Sequence, residues 1–120
     1  MSVLLPTGRL WAANRWITRT FLEDAMLFID AAPSLESKIK FCIDTELYDL
    51  YLESVDLSVL EEFRSLVGKV IDYRSRVGGS DFYLPDYFPM YMSKLTELGR
   101  LVEEARNELT YRLRGGRAQS

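Results

Sequence analysis

The feature that most constrains this fold is a helical beat in the apolar residues. Val59, Phe63, Leu66, Val70, Tyr73 and Val77 follow one another at steps of four, three, four, three and four, which puts them on one face of a helix. Ser58 with Glu61 three residues on reads as a capping box at the start, and Gly78-Gly79 as the stop. Tyr91, Leu95, Leu98, Val102, Ala105 and Leu109 repeat the beat. Pro89 suits the first turn of that helix and Gly115 the residue just past its end. No segment shows strand alternation of useful length, and no internal repeat is visible.

Thr20 and Glu23 form a further capping box before the apolar run Phe21–Ala32, and Pro33-Ser34 breaks that helix and caps the next. The expected elements are helices near 18–31, 35–54, 58–77 and 90–113, with a flexible tail at 115–120. Residues 10–17 add a short helix or extend the first. Connections at 32–34 and 55–57 are short, which favours antiparallel neighbours. The expected fold class is therefore all-α: one domain over 1–120, an antiparallel four-helix bundle with an aromatic-rich connection before its last helix.

Composition then narrows the chemistry. The chain has 120 residues, no His and one Cys. Without His, the commonest general base and transition-metal ligand are both missing. The single Cys42 falls mid-helix at the edge of an apolar arc, where an inert thiol is expected. Gly78-Gly79 lacks the Gly-Lys-Ser/Thr continuation of a phosphate loop. The expectation is a non-enzymatic protein with no catalytic residue, cofactor or metal. The apolar run Val3–Leu5 is stopped by Pro6, too short for a leader, and no stretch approaches a membrane span. The expected location is the cytoplasm.

The net charge of −3 hides a strong asymmetry. Residues 41–62 hold seven acids (Asp44, Glu46, Asp49, Glu53, Asp56, Glu61, Glu62) and no base. Such a one-signed field bears on partners and encounter rates. On a helix over 35–54, Ile39, Phe41, Ile43, Leu47, Tyr48, Leu50, Tyr51 and Leu52 spread around more than half the circumference. That is the pattern of a central or doubly covered helix. Glu46, Asp49 and Glu53 would share the remaining ridge, with Asp56 a turn beyond. The ridge is either a solvated face neutralised by neighbouring Arg residues or a docking surface for a basic partner. In the second case Tyr48 and Tyr51 supply contact area at low entropic cost.

Residues 82–91 carry five aromatics in ten positions, stiffened by Pro85 and Pro89. Phe82, Leu84 and Phe88 are expected to plug one end of the bundle, and Tyr83, Asp86 and Tyr87 to stay exposed as a recognition loop. Arg100, Arg106, Arg112, Arg114 and Arg117 are interleaved with Glu97, Glu103, Glu104 and Glu108, the pattern of a salt-bridged surface. With a pI near 5, this end argues weakly for nucleic acid.

The size, helical layout, acidic second helix and Tyr-rich patches resemble the small helical immunity proteins with which bacteria neutralise their own nuclease toxins. The resemblance is one of layout across most of the chain. It implies tight one-to-one binding to a basic protein, with Glu46, Asp49, Glu53 and Asp56 in the place of a nucleic-acid backbone. The alternative reading is a helical regulatory or assembly subunit that self-associates as a homo-oligomer.

Overall fold

The structure, a computed structural model, describes residues 1–119, with side chains as far as Gly115. The elements in chain order are β1 (Ser2–Leu4), β2 (Leu10–Ala12), α1 (Arg15–Met26), α2 (Glu36–Thr45), β3 (Asp49–Tyr51), α3 (Leu57–Val77) and α4 (Tyr87–Gln119). Single 3-10 turns at Pro6–Gly8, Ile29–Ala31 and Pro33–Leu35 join them.

Both rhythmic segments are the helices their spacing predicts. Phe63, Leu66 and Val70 of α3, and Tyr91, Leu95, Leu98, Val102 and Ala105 of α4, are buried. Each large apolar side chain taken fully out of water contributes about 1.5–3 kcal/mol. The two helices run antiparallel, as the cross-links Arg106–Glu61 and Arg64–Glu103 require. Gly99 lets them approach closely, since a Cβ there would lie 3.4 Å from Cδ1 of Ile71.

The helix ends differ in their caps. Asp56, not Ser58, caps α3: its carboxylate accepts the Val59 N–H at 3.0 Å and the Ser58 hydroxyl at 2.7 Å. Asn14, not the Thr20 region, caps α1 and accepts the Ile17 N–H at 3.1 Å. Thr20 sits inside that helix, its hydroxyl donating to the Trp16 carbonyl at 2.7 Å. The first helix therefore begins at Arg15 and ends at Met26, not 18–31. Helix α4 begins at Tyr87 and runs through Gly115, where a stop was expected, to Gln119. Ser120, the last residue of the expected tail, lies outside the described residues.

The largest departure from expectation is the sheet. β1 pairs antiparallel with β2 and parallel with β3, in the order β2-β1-β3. Segment 10–17 is thus strand followed by the start of α1, not a short helix. The strands are three residues each and alternate: Val3, Trp11 and Leu50 are buried in register, while their neighbours face outward. Trp11 meets Phe21 edge-on at 5.8 Å, and its Nε1–H donates to the Lys94 carbonyl at 2.9 Å. That bond satisfies the one polar atom of a fully buried indole. The turn between β1 and β2 uses Thr7 and Gly8 at positive φ, and Arg9 ties it to Glu104 and Glu108 of α4.

The chain is mostly helical, but the helices do not form the expected four-helix bundle. The second helix stops at Thr45, and half of its expected length is a loop and the edge strand β3. No helix among the described residues is long and apolar enough to cross a membrane.

Candidate functional site: a groove beside the open sheet edge

Helix α2 ends because Glu46 adopts the left-handed conformation (φ 57°) and donates its N–H to the Ile43 carbonyl. The chain then reverses within three residues into β3. From Tyr48 onward burial alternates strictly: Tyr48, Leu50 and Leu52 are buried, and Tyr51 and Glu53 are exposed with Asp49 half-buried between. This is the period of a strand.

A groove of about 540 Å³ opens between α2 and β3, lined by Ser37, Lys38, Phe41, Cys42, Leu47, Asp49, Leu50 and Tyr51. Its apolar lining is unusually wet: Phe41 and Leu47 are each 61% exposed and Tyr51 58%. Contiguous exposed apolar surface of this kind marks interaction sites. The sheet continues the surface, because Leu10, Leu4 and Tyr51 stand opposite one another across its outer face.

The acids expected on one helical ridge are redistributed. Glu46 is exposed at the helix end and pairs with Arg15 at 3.4 Å. Asp49 faces the outer side of the sheet, accepts the Ser2 hydroxyl at 3.1 Å and lies 3.7 Å from the Met1 amino group. Glu53 is exposed just beyond Tyr51. Asp56 is the cap of α3, and the Ser58 hydroxyl and Val59 N–H together hold its carboxyl below the usual carboxylate range. Glu61 pairs with Arg106 and Arg64, and Glu62 caps the turn before α2 by accepting from the Ser34 N–H and hydroxyl. Tyr48 is buried under Arg15, whose guanidinium lies 5.0 Å from the ring centre. It offers no contact area. A ridge of Glu46, Asp49, Glu53 and Asp56 therefore does not exist; Asp49 alone of the four lines the groove, with Glu46 and Glu53 flanking its strand.

Cys42 is buried, its thiol pushed up chiefly by loss of hydration, and Sγ–H donates to the Asp49 carbonyl at 3.4 Å. It is a packing residue on the groove wall.

The aromatic connection is divided between inside and outside. Phe82 and Phe88 are half-buried, Phe82 lying edge-on to Tyr91 at 5.4 Å. Leu84, expected inside, is exposed. Tyr83 (89% exposed) and Asp86 face solvent, whereas Tyr87, expected outside, stacks on Trp16 at 4.7 Å.

A buried polar cluster holds this connection down. Arg74 on α3 makes a bidentate pair with Asp24 on α1, at 2.7 and 2.8 Å. The same guanidinium reaches Asp81 at 2.8 Å and the Gly78 carbonyl at 3.2 Å. The Tyr91 hydroxyl donates to Asp24 at 2.8 Å, and the Phe82 ring covers the guanidinium at 4.6 Å. Each buried polar side-chain atom among the described residues has a partner. Every guanidinium N–H of Arg74 is used in these bonds. The role of the cluster is to fix the connection. Sequence reading missed it because the three charges lie 50 and 7 residues apart on three different elements; a lone Arg at a position adjoining an apolar face was the available signal.

The chain matches no family model, no curated protein and no solved structure.

Proposed function

We propose that this chain is a non-enzymatic protein-binding module whose groove between α2 and β3 receives a basic protein. The observation that carries the reading is the exposure of Phe41, Leu47 and Tyr51 around a groove lined by Asp49, which with Asp44, Glu46 and Glu53 belongs to a segment with no base. Apolar contact supplies the affinity, and the surrounding carboxylates steer the approach and select for positive charge. Such a module acts as an inhibitor or immunity protein when the basic partner is a toxin or nuclease whose cationic site it covers.

The test is a pull-down from the native host with the wild-type chain and with an Asp44→Lys/Glu53→Lys variant. A basic partner should be retained by the first and lost by the second, and its capture should weaken with salt. Retention that is indifferent to both changes sinks the reading.

Self-association is the second reading, supported by the exposed Tyr111 and Leu113 on the far part of α4. The mass of the purified chain in solution separates the two. A stable homo-oligomer that covers the groove favours assembly.

A further inference from the structure

β3 is an edge strand, and its open side carries unspent hydrogen-bonding groups. The parallel register, together with the Ser2 N–H to Tyr48 carbonyl bond (3.1 Å) and the Leu52 N–H to Leu4 carbonyl bond (2.7 Å), directs both backbone groups of Leu50 at β1. The N–H and C=O of Asp49 and Tyr51 therefore point away from β1, toward the groove. Of these four groups, the Asp49 carbonyl accepts the weak Cys42 thiol donor. An exposed edge of this kind templates another strand unless it is blunted. Here no proline and no lysine stands on the strand, and the groove beside it is lined by Phe41 and Leu47 together with Ser37 and Lys38 of α2.

We infer that an extended segment of the partner, alternating basic and aliphatic residues, adds to β3 as a fourth strand along this groove. The inference rests on the docking reading above and specifies its mode. Backbone pairing to Asp49 and Tyr51 supplies sequence-independent affinity, and alternate side chains divide between two environments. One set enters the groove on the Leu50 side of the strand, against Phe41 and Leu47. The other set lies on the outer face with Asp49, Tyr51 and Glu53, whose carboxylates favour lysine or arginine there. Charge complementarity selects this occupant over a second copy of the chain paired through its own β3, which would set one acidic segment 41–62 against another. Lys38 is the single base on the groove wall, and it stands on the side opposite the strand.

The experiment uses the full chain and a random twelve-residue display library. The probe is the most enriched peptide, with binding followed by fluorescence anisotropy. Enriched sequences should carry Lys or Arg in alternation with aliphatic residues. Backbone N-methylation of the probe should weaken binding at every second position, by about fivefold or more per lost hydrogen bond, and spare the positions between. Amide exchange at Asp49 and Tyr51 should slow on binding. This readout needs no mutant of the chain to fold.

If binding falls with Asp44→Lys/Glu53→Lys but is indifferent to N-methylation at every position, strand addition is overturned and the acidic docking face stands. If binding ignores both the charge reversals and N-methylation, both are overturned. Absence of any enriched peptide overturns strand addition alone, and the host pull-down then decides the broader reading.

Discussion

Arg74 and Asp24 meet across 50 residues of sequence in a bidentate ion pair, with 4% and 7% of their side chains exposed. The planar guanidinium uses its remaining N–H groups on Asp81 and the Gly78 carbonyl, so one side chain clamps α1, α3 and the aromatic connection together. The neighbouring carboxylates hold the guanidinium pKa above its ordinary value, Asp24 contributing most. The guanidinium therefore stays protonated.

Removing one partner of this pair leaves a buried charge uncompensated. Arg74→Ala should destabilise the fold by about 3–5 kcal/mol in chemical denaturation. Replacing Asp24, Arg74 and Tyr91 together by Leu, Met and Phe should recover most of that loss, since no charge or hydroxyl is then stranded. A triple variant as unstable as Arg74→Ala would show that the cost lies elsewhere.

Alkaline pH should expose the second link of the cluster. Burial and the adjacent Asp24 carboxylate raise the Tyr91 pKa above that of a free phenol. A raised folded value means that the unfolded chain releases its proton first. Stability is therefore complete below about pH 10 and falls as pH rises beyond it. An absorbance titration of the seven tyrosines should show a step delayed until the protein unfolds, and Tyr91→Phe should shrink that step by one phenol.

The acid limb has the opposite sign. The Arg74 guanidinium holds the Asp81 carboxyl below the usual carboxylate range. A depressed folded value makes the unfolded chain the better proton binder at acid pH. The contribution is thus present above about pH 4 and is lost as pH falls through the folded value. Thermal midpoints measured from pH 6 to pH 2 should decline, and Asp81→Asn should flatten part of the decline while lowering the midpoint at pH 6.

The break after α2 can be tested directly. Glu46 is left-handed at φ 57°, a conformation that costs an L side chain about 1–2 kcal/mol and costs glycine nothing. Its ion pair with Arg15 is exposed and contributes little. Glu46→Gly should therefore raise the thermal midpoint. A fall would mean that the Arg15 contact outweighs the backbone strain.

The two long helices were legible because each writes its own pattern: five of the six rhythmic positions on α4 are buried. The second helix was misread for an equally local reason. Ile39, Ile43, Leu47 and Leu50 keep helical spacing straight through the break, and Glu46 gives none of the warning that glycine would. Yet Tyr48, Leu50 and Leu52 also alternate with Asp49, Tyr51 and Glu53. A six-residue run satisfied both periods, and the longer one was followed. The strand β3 is held by β1, 47 residues earlier, a pairing that no local window contains. With that error went the acidic ridge, since three carboxylates share a face at i, i+3 and i+7 only on a helix.

The sequence by itself determined the helical bulk, the absence of imidazole chemistry, and a seven-acid segment at 41–62 without a base. These follow from residue identity and short spacing. Tertiary structure alone decided where those acids point, because burial and pairing are settled by partners distant in the chain. Asp56 became a cap, Glu61 and Glu62 were taken up by α4 and the Ser34 turn, and Asp49 came to line a groove. The acidity that opened the question of a partner thus survives, displaced from a helix ridge to the open edge of a sheet.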